Sequence, residues 1–313
     1  MALNYLLHLT TQFYRIPEVP QVDLTGRTVL ITGANAGIGF EIARHMAKLS
    51  PKTIVIVCRR VDAGEDARRE ILASLPPDHK VDLLVWYADM MDFASVMALG
   101  ERANKELGRL DILVSNAGIN VGLKIDEMRF TKDGWERRSL HPKDHIQWLR
   151  DPFDSKIPES GQGEASGGAK RQDEMGQPFE VSFDQNLVPS LVIVDAAPGI
   201  VASGFIKDKT WLEWVLVGAL GRTPEVGARI ITRAALLSAS SSKASSLPRF
   251  VLCADVMWAD NGTQQYWNES GPKETPSTYV VSVEGRQMEL TMWDELLDIL
   301  EKVAPGCSGS LSS

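Results

Sequence analysis

Cysteine is scarce. Cys58, Cys253 and Cys307 are the three thiols in 313 residues, an odd count with wide spacing. That excludes a disulfide framework and a thiolate zinc site, and it predicts reduced thiols in a reducing compartment. Long apolar runs are also lacking, so no membrane span is expected. The opening stretch, residues 1–9, has too short an apolar run and no basic leader, which argues against a secretory signal. A cytoplasmic location is the resulting expectation, and Asn261 and Asn268, although each begins Asn-x-Ser/Thr, are then chance matches. Cations are outnumbered: 33 Lys and Arg against 41 Asp and Glu leave a net charge of −8. This balance argues against nucleic acid or an anionic membrane as the main partner.

What is present suits a globular chain. An apolar fraction of 44% and a charged fraction of 24% supply a core without metal or disulfide. Residues 1–26, with Pro17 and Pro20, read as an N-terminal arm. Thr28 to Ile31 is a short apolar strand with β-branched bias, followed by glycines. Ile38, Ile42, Ala43 and Met46 then recur at helical spacing. Further strands are expected at Thr53–Val57, Val81–Trp86 and Asp111–Val114. Helices are expected at 62–75, ended by Pro76-Pro77, and at 92–107. Strand alternating with helix in this way predicts βαβ units and a doubly wound parallel sheet, an α/β Rossmann-type fold.

The pattern then lapses. Between about 137 and 187 neither period is sustained, and the run Glu159 to Gly168 is small and polar. Such a composition buries too little apolar surface to offset ordering entropy, so loop or disorder is expected. Phe179, Val181 and Phe183 alternate and fit one short strand. Order returns with a strand at Ser190–Asp195, a helix at 224–239 opened by Pro224, a last strand at Phe250–Cys253 and an amphipathic helix at 291–303. The expected organisation is one domain over 27–305, with 137–187 as an irregular insert and a tail at 306–313.

Four features fall in order, each at the carboxyl end of a strand, where open α/β sheets bind ligands. Thr32-Gly33-Ala34-Asn35-Ala36-Gly37-Ile38-Gly39 lets backbone N–H groups approach a pyrophosphate at a helix head. Gly33, Asn35, Gly37, Ile38 and Gly39 are its candidate contacts. Arg59 and Arg60 lie twenty residues on, where an acid would meet the ribose hydroxyl of NAD. A guanidinium there suits the 2′-phosphate of NADP. Asp89, past the third strand, is placed to accept from an adenine amino group. Asn116-Ala117-Gly118 follows the fourth strand as a small-residue turn, with Asn116 and Gly118 as candidate contacts.

Together these resemble the short-chain dehydrogenase/reductase family. Thr32 to Gly39 meets its Thr-Gly-x-x-x-Gly-x-Gly pattern, and Ser115-Asn116-Ala117-Gly118 meets its Asn-Asn-Ala-Gly turn with the first Asn replaced. Pro198-Gly199 matches its Pro-Gly loop, with Val201 and Ser203 as further contacts, Ser203 standing for the Thr that touches the nicotinamide carboxamide. Arg222-Thr223-Pro224-Glu225-x-Gly227-Ala228, Tyr266-Trp267 and Met292 to Leu296 resemble its retinol-dehydrogenase-like branch, especially the fungal members. The resemblance covers 22–136 and 188–305. It implies NADP(H), a small lipophilic carbonyl or alcohol, and oxidoreduction in a biosynthesis of secondary metabolites. It leaves a homo-oligomer open.

The family's acid is a tyrosine with a lysine four residues later. Tyr5, Tyr14, Tyr87, Tyr266 and Tyr279 are the tyrosines here, and none has that lysine or lies between the Asn116 turn and Pro198. Ser166 with Lys170, and His141 with His145, have useful spacing. The first pair sits in a glycine-rich polar run, and Pro142 undercuts a helix for the second, so neither is favoured. Catalytic residues stay unassigned. We expect residues 137–187 to be foreign to the fold, through mis-splicing, an erroneous coding boundary or decay. An apolar run at Trp211, Leu212, Trp214, Val215 and Leu216 fits a lid over a lipophilic substrate or plain core packing. An NADP(H)-binding protein without turnover and a non-redox catalyst on the same scaffold are the alternatives.

Overall fold

Val29 and Ile31 are wholly buried, and Leu30 nearly so, because the strand carrying them has neighbours on both edges and helices on both faces. The computed structural model describes residues 18–118, 131–132, 192–196, 198, 201–203, 218, 221–237, 249–253, 266–268, 271–273 and 283–306. The elements are β1 (Thr28–Thr32), α1 (Gly37–Ala47), β2 (Thr53–Cys58), α2 (Val61–Ala73), β3 (Asp82–Tyr87), α3 (Phe93–Glu106) and β4 (Ile112–Ser115). After these come β5 (Val192–Ala196), α4 (Pro224–Leu237), β6 (Arg249–Cys253), β7 (Tyr266–Asn268), β8 (Gly271–Lys273) and α5 (Val283–Val303). Among the described residues no helix is long and apolar enough to cross a membrane.

The eight strands form one sheet in the order β3-β2-β1-β4-β6-β5-β7-β8. Every neighbouring pair is parallel except β7 with β8. The parallel doubly wound architecture is therefore as the βαβ pattern predicts. Two details differ from expectation. Arg249–Cys253 is not the last strand, since a short antiparallel hairpin follows it. It also sits inside the sheet, between β4 and β5, whereas the usual order of such sheets, 3-2-1-4-5-6, would seat the next strand in sequence beside β4. β4 needs a partner along its open edge for its backbone groups, and the apolar strand Arg-Phe-Val-Leu-Cys supplies it, pairing Ser115 with Leu252.

The helices show how this order is reached. α4 packs on α1 and on β5, β6 and β7, so it shares α1's face. The β5-α4-β6 step moves along the sheet in the same direction as β1-α1-β2. Same face and same direction give the same hand, the right-handed sense that parallel crossovers adopt.

Alternation along each strand divides the core. Val29, Ile31, Ile54, Ile56 and Val114 pack under α1 with Ile42, Met46 and Ile231. Leu30, Val55, Val57 and Trp86 face the other way, towards Leu99 and Ala103 of α3. The arm expected before the domain is tied to it: Leu24 is buried, and its N–H donates to the Leu49 carbonyl at 2.9 Å. Asp111 pins the starts of β1 and β4. Its carboxylate accepts from the Thr28 N–H at 2.9 Å, the Arg27 guanidinium at 2.8 Å and Arg109. Burial pushes the Asp111 carboxyl up, but Arg109, the Thr28 amide and Arg27 together hold it below its ordinary value.

Candidate functional site

The glycine turn between β1 and α1 is closed by contacts from β4. Gly33 has φ +67° and Gly37 φ +61°, both in the left-handed region where only glycine is unstrained. At Gly33 a Cβ would also come within 2.9 Å of the Ala117 Cα. At Gly39 a Cβ would lie 2.6 Å from the Gly33 carbonyl oxygen and closer still to the side-chain amide of Asn116. Each glycine thus answers a distinct steric demand.

Asn116 and Thr32 hold this geometry reciprocally. The Asn116 amide donates to the Thr32 carbonyl at 2.9 Å and towards the Gly33 carbonyl at 3.4 Å. The Thr32 hydroxyl accepts the backbone N–H groups of Asn116 and Ala117, both at 3.0 Å. The sequence marks Asn116 as a ligand contact; the structure gives its amide a structural duty as well. Thr32 opens the glycine motif in sequence, and the structure adds what its hydroxyl does there.

Ala36, the N-cap of α1, offers no side-chain cap, and the helix has no acidic residue in its first turn. By helix geometry the N–H groups of Gly37, Ile38 and Gly39 lack intrahelical acceptors. They and the helix dipole favour an anion at this end of the helix. Asn35 and Ala36 line a cleft of about 360 Å³ with Phe40 and with Ala63, Asp66, Ala67 and Glu70 of α2. Beyond β2, Arg59 and Arg60 are both exposed, and among the described residues neither is in an ion pair. Arg60 is the N-cap of α2. Beneath it the Cys58 thiol donates to the Arg60 carbonyl at 3.1 Å. Burial, then the nearby Asp62 charge, push that thiol up, so it is an inert packing group.

Asp89 follows β3 as predicted. Its Oδ1 accepts the Met91 N–H at 3.0 Å and its own N–H donates to the Ser95 hydroxyl at 2.9 Å, leaving Oδ2 without a protein donor among the described residues. Gly118 is exposed at the mouth of the turn.

The loop after β5 comes back to the same place. The Ala202 N–H donates to the Arg222 carbonyl at 2.8 Å, and Val201 bridges Arg222. Gly227 of α4 makes room for this: a Cβ there would lie 2.6 Å from a Val201 methyl and 3.5 Å from Pro198. The outcome is that Ser203 stands beside the glycine turn, its Cβ 3.9 Å from where a side chain on Gly37 would begin. Residues 192–203 and 33–39 are far apart in sequence and meet here. Gly199, the segment 137–187 with His141, His145, Ser166 and Lys170, and the run from Trp211 to Leu216 lie outside the described residues.

A second cluster was not foreseen. His45, on α1, is buried, and its Nε2 lies 3.0 Å from the Glu225 carboxylate on α4, which also accepts from the Arg229 Nε at 2.8 Å. His45, Glu225 and Arg229 border a cleft of about 360 Å³ with Glu18, Gln21 and Lys48, at the far end of α1 from the glycine turn. Burial depresses the His45 ring below its ordinary value against the pull of Glu225. A proton on Nδ1 would find no acceptor there among the described residues. The motif Thr223-Pro224-Glu225 held the signal, but helix-start chemistry accounts for it equally well: the Thr223 hydroxyl accepts the Val226 N–H at 3.3 Å.

Comparison with known proteins agrees with this geometry. The family model described as short chain dehydrogenase matches residues 27–138. The short chain dehydrogenase/reductase dmxR8 of Cryptosporiopsis sp. (strain 8999) is 25% identical over 96% of this chain and 99% of its own. The short-chain dehydrogenase fogG of Aspergillus ruber is 39% identical over 38% of this chain and 32% of its own. Among solved structures, the RhlG/NADP active-site complex of Pseudomonas aeruginosa is 21% identical, with a TM-score of 0.46 over 75% of this chain and 97% of that one. With the glycine turn, the Asn116 clamp and the parallel sheet in place, the chain is similar to the short-chain dehydrogenase/reductase family, through the family model over residues 27–138 and through relatives such as dmxR8 along most of its length.

Proposed function

We propose that this protein is an NADP(H)-dependent oxidoreductase acting on a lipophilic carbonyl or alcohol in the making of a secondary metabolite. The observation that carries the cofactor reading is the convergence of Gly33, Gly37, Gly39, Asn116 and Ser203 on one uncapped helix head, with two exposed guanidiniums beyond the next strand that form no ion pair among the described residues.

The residues present fit the group. The N–H groups of Gly37, Ile38 and Gly39 would hold the pyrophosphate. Arg59 and Arg60 would meet a 2′-phosphate, and Asp89 Oδ2, without a protein donor among the described residues, would accept from an adenine amino group. Asn116, Gly118, Pro198, Gly199, Val201 and Ser203 would flank the ribose and nicotinamide. The bound dinucleotide supplies or removes a hydride at the substrate carbon. The chain's own part is to position it: the Thr32–Asn116 clamp would fix the pyrophosphate cradle, and the loop Val201–Ser203, which meets Arg222 and Gly227, would close the nicotinamide end. The biosynthetic setting is supported by relatives such as dmxR8, opdN and fogG, short chain dehydrogenases of fungi.

Isothermal titration with NADPH and NADH tests the cofactor reading, and loss of absorbance at 340 nm with decanal, benzaldehyde and all-trans-retinal tests turnover. Saturable binding that favours NADPH at least tenfold, with turnover of one probe, is expected. Absence of heat with either dinucleotide on folded protein defeats the reading. Binding without turnover of any probe would instead make the chain an NADP(H)-binding protein or a non-redox catalyst.

A further inference from the structure

The head of α4 touches two parts of the molecule at once. Glu225, in its first turn, meets His45 at the far end of α1. Gly227, two residues on, packs against Val201 and Pro198. The Arg222 carbonyl, just before the helix, accepts the Ala202 N–H. These contacts place Ser203 beside Gly37. One turn of helix therefore lies between a buried histidine and the loop assigned above to the nicotinamide end.

The surroundings of His45 suit one protonation state. The residue is 5% exposed, and its Nε2 lies 3.0 Å from Glu225 Oε1, which also accepts from Arg229 Nε. Burial pushes the Glu225 carboxyl up, but Arg229 and His45 hold it below its ordinary value. Glu225 is therefore an acceptor, and Nε2 carries the proton of the neutral ring. A second proton would sit on Nδ1, which is buried and has no partner among the described residues. Lys48 on α1 and Arg229 on α4 add repulsion. In favour of the charged ring stand Glu225 and the negative end of the α1 dipole. Glu18 of the arm lies across the cleft, and Glu41, one turn back on α1, is engaged by Arg44. Burial is the larger effect, and the ring titrates below its ordinary value. A charged ring has a place to go, because the cleft of about 360 Å³ beside it is bordered by Glu18, Gln21 and Lys48.

Resting on the cofactor reading above, we propose that His45 and Glu225 form a pH-sensitive latch on the dinucleotide site. With the ring neutral, the latch holds the head of α4 against α1, and Gly227 and Arg222 keep the Val201–Ser203 loop in place. With the ring charged, it leaves Glu225 for the cleft, and the head of α4 loses that hold on the loop. The dinucleotide binds the latched form more tightly. Reciprocity then requires that binding lowers the midpoint of His45 and releases a proton to solvent. It also requires that affinity falls as pH drops through that midpoint.

The test uses the full chain and NADP⁺. Titration calorimetry at pH 7.5 and 5.5 gives the affinity of the wild type and of His45→Gln. Both share the titration of the ligand's own 2′-phosphate, so the difference between them reads the latch. Affinity should fall at least twofold more in the wild type than in the variant. The imidazole proton resonances supply a second measurement, on the wild type alone. The His45 midpoint should drop by at least about 0.3 of a pH unit when NADP⁺ saturates the protein, the counterpart of a twofold change in affinity. His45→Gln identifies the resonance. Where that variant fails to fold, the ring with the lowest midpoint among the five histidines is followed instead. Equal losses of affinity in the two proteins overturn the proposal, as does a midpoint that NADP⁺ leaves unchanged, and both outcomes leave the cofactor reading intact. Absence of NADP⁺ binding at pH 7.5 removes both.

Discussion

The side-chain amide of Asn116 donates to the Thr32 carbonyl at 2.9 Å and fills the space in which Gly39 would carry a side chain. One residue at the end of β4 thereby shapes the turn after β1. Asn116→Ala removes the donor and leaves the Thr32 carbonyl, which is part-buried, without that partner. A loss of about 1–3 kcal/mol in stability is expected, the range for a buried polar group left unpaired. NADPH affinity should fall tenfold or more because the cradle loosens. Urea denaturation and titration calorimetry measure the two separately. Unchanged affinity in a destabilised variant would confine Asn116 to a structural role.

Gly39→Ala tests the same contact from the other side. Its Cβ would meet the Gly33 carbonyl at 2.6 Å, and neither that backbone oxygen nor the clamped Asn116 amide can swing away cheaply. About 1–3 kcal/mol of destabilisation is expected, as for overpacking in a tight site. Gly100→Ala is the control: it lies in α3, where nothing stands within 4 Å, and alanine is the better helix former. It should be neutral or stabilising. Equal losses in the two variants would show that the glycine turn is not sterically tight.

Arg59→Ala with Arg60→Ala addresses cofactor choice. Both guanidiniums are exposed and free of ion pairs among the described residues, so their removal breaks no ion pair there. The melting temperature should hold within a few degrees, while NADPH binding weakens at least tenfold and NADH binding stays within threefold. A parallel loss for both dinucleotides would move the 2′-phosphate contact elsewhere.

Much of this was legible in advance, and the reason is locality. Gly33, Gly37, Gly39 and Asn116 are marked by short segments whose residue types have few other uses, and strands β1 to β4 are continuous apolar runs between turn signals. The place of β6 was not legible. Phe250, Val251 and Leu252 look the same whether the strand pairs with β4 or ends the sheet, because pairing partners are chosen by which edge is left bare. The His45–Glu225 contact was hidden for a related cause. A histidine on an apolar helix face gives no hint of the carboxylate 180 residues away that will meet it.

That contact gives a pH dependence whose sign follows from burial. The folded His45 ring titrates below its ordinary 6.5. Between those two values the unfolded chain holds a proton that the folded chain lacks, so stability falls as pH drops below 6.5. Asp111 acts in a lower window. Its folded carboxyl titrates below the ordinary 3.8, so its contribution is present above 3.8 and is lost as pH falls through the folded value. Urea midpoints at pH 8, 7, 6 and 5 should be level from 8 to 7 and then decline. His45→Gln keeps a polar side chain without a titrating ring, and should flatten the decline between 6.5 and 5. Midpoints that still decline equally in His45→Gln would assign the acid sensitivity in this range to other groups.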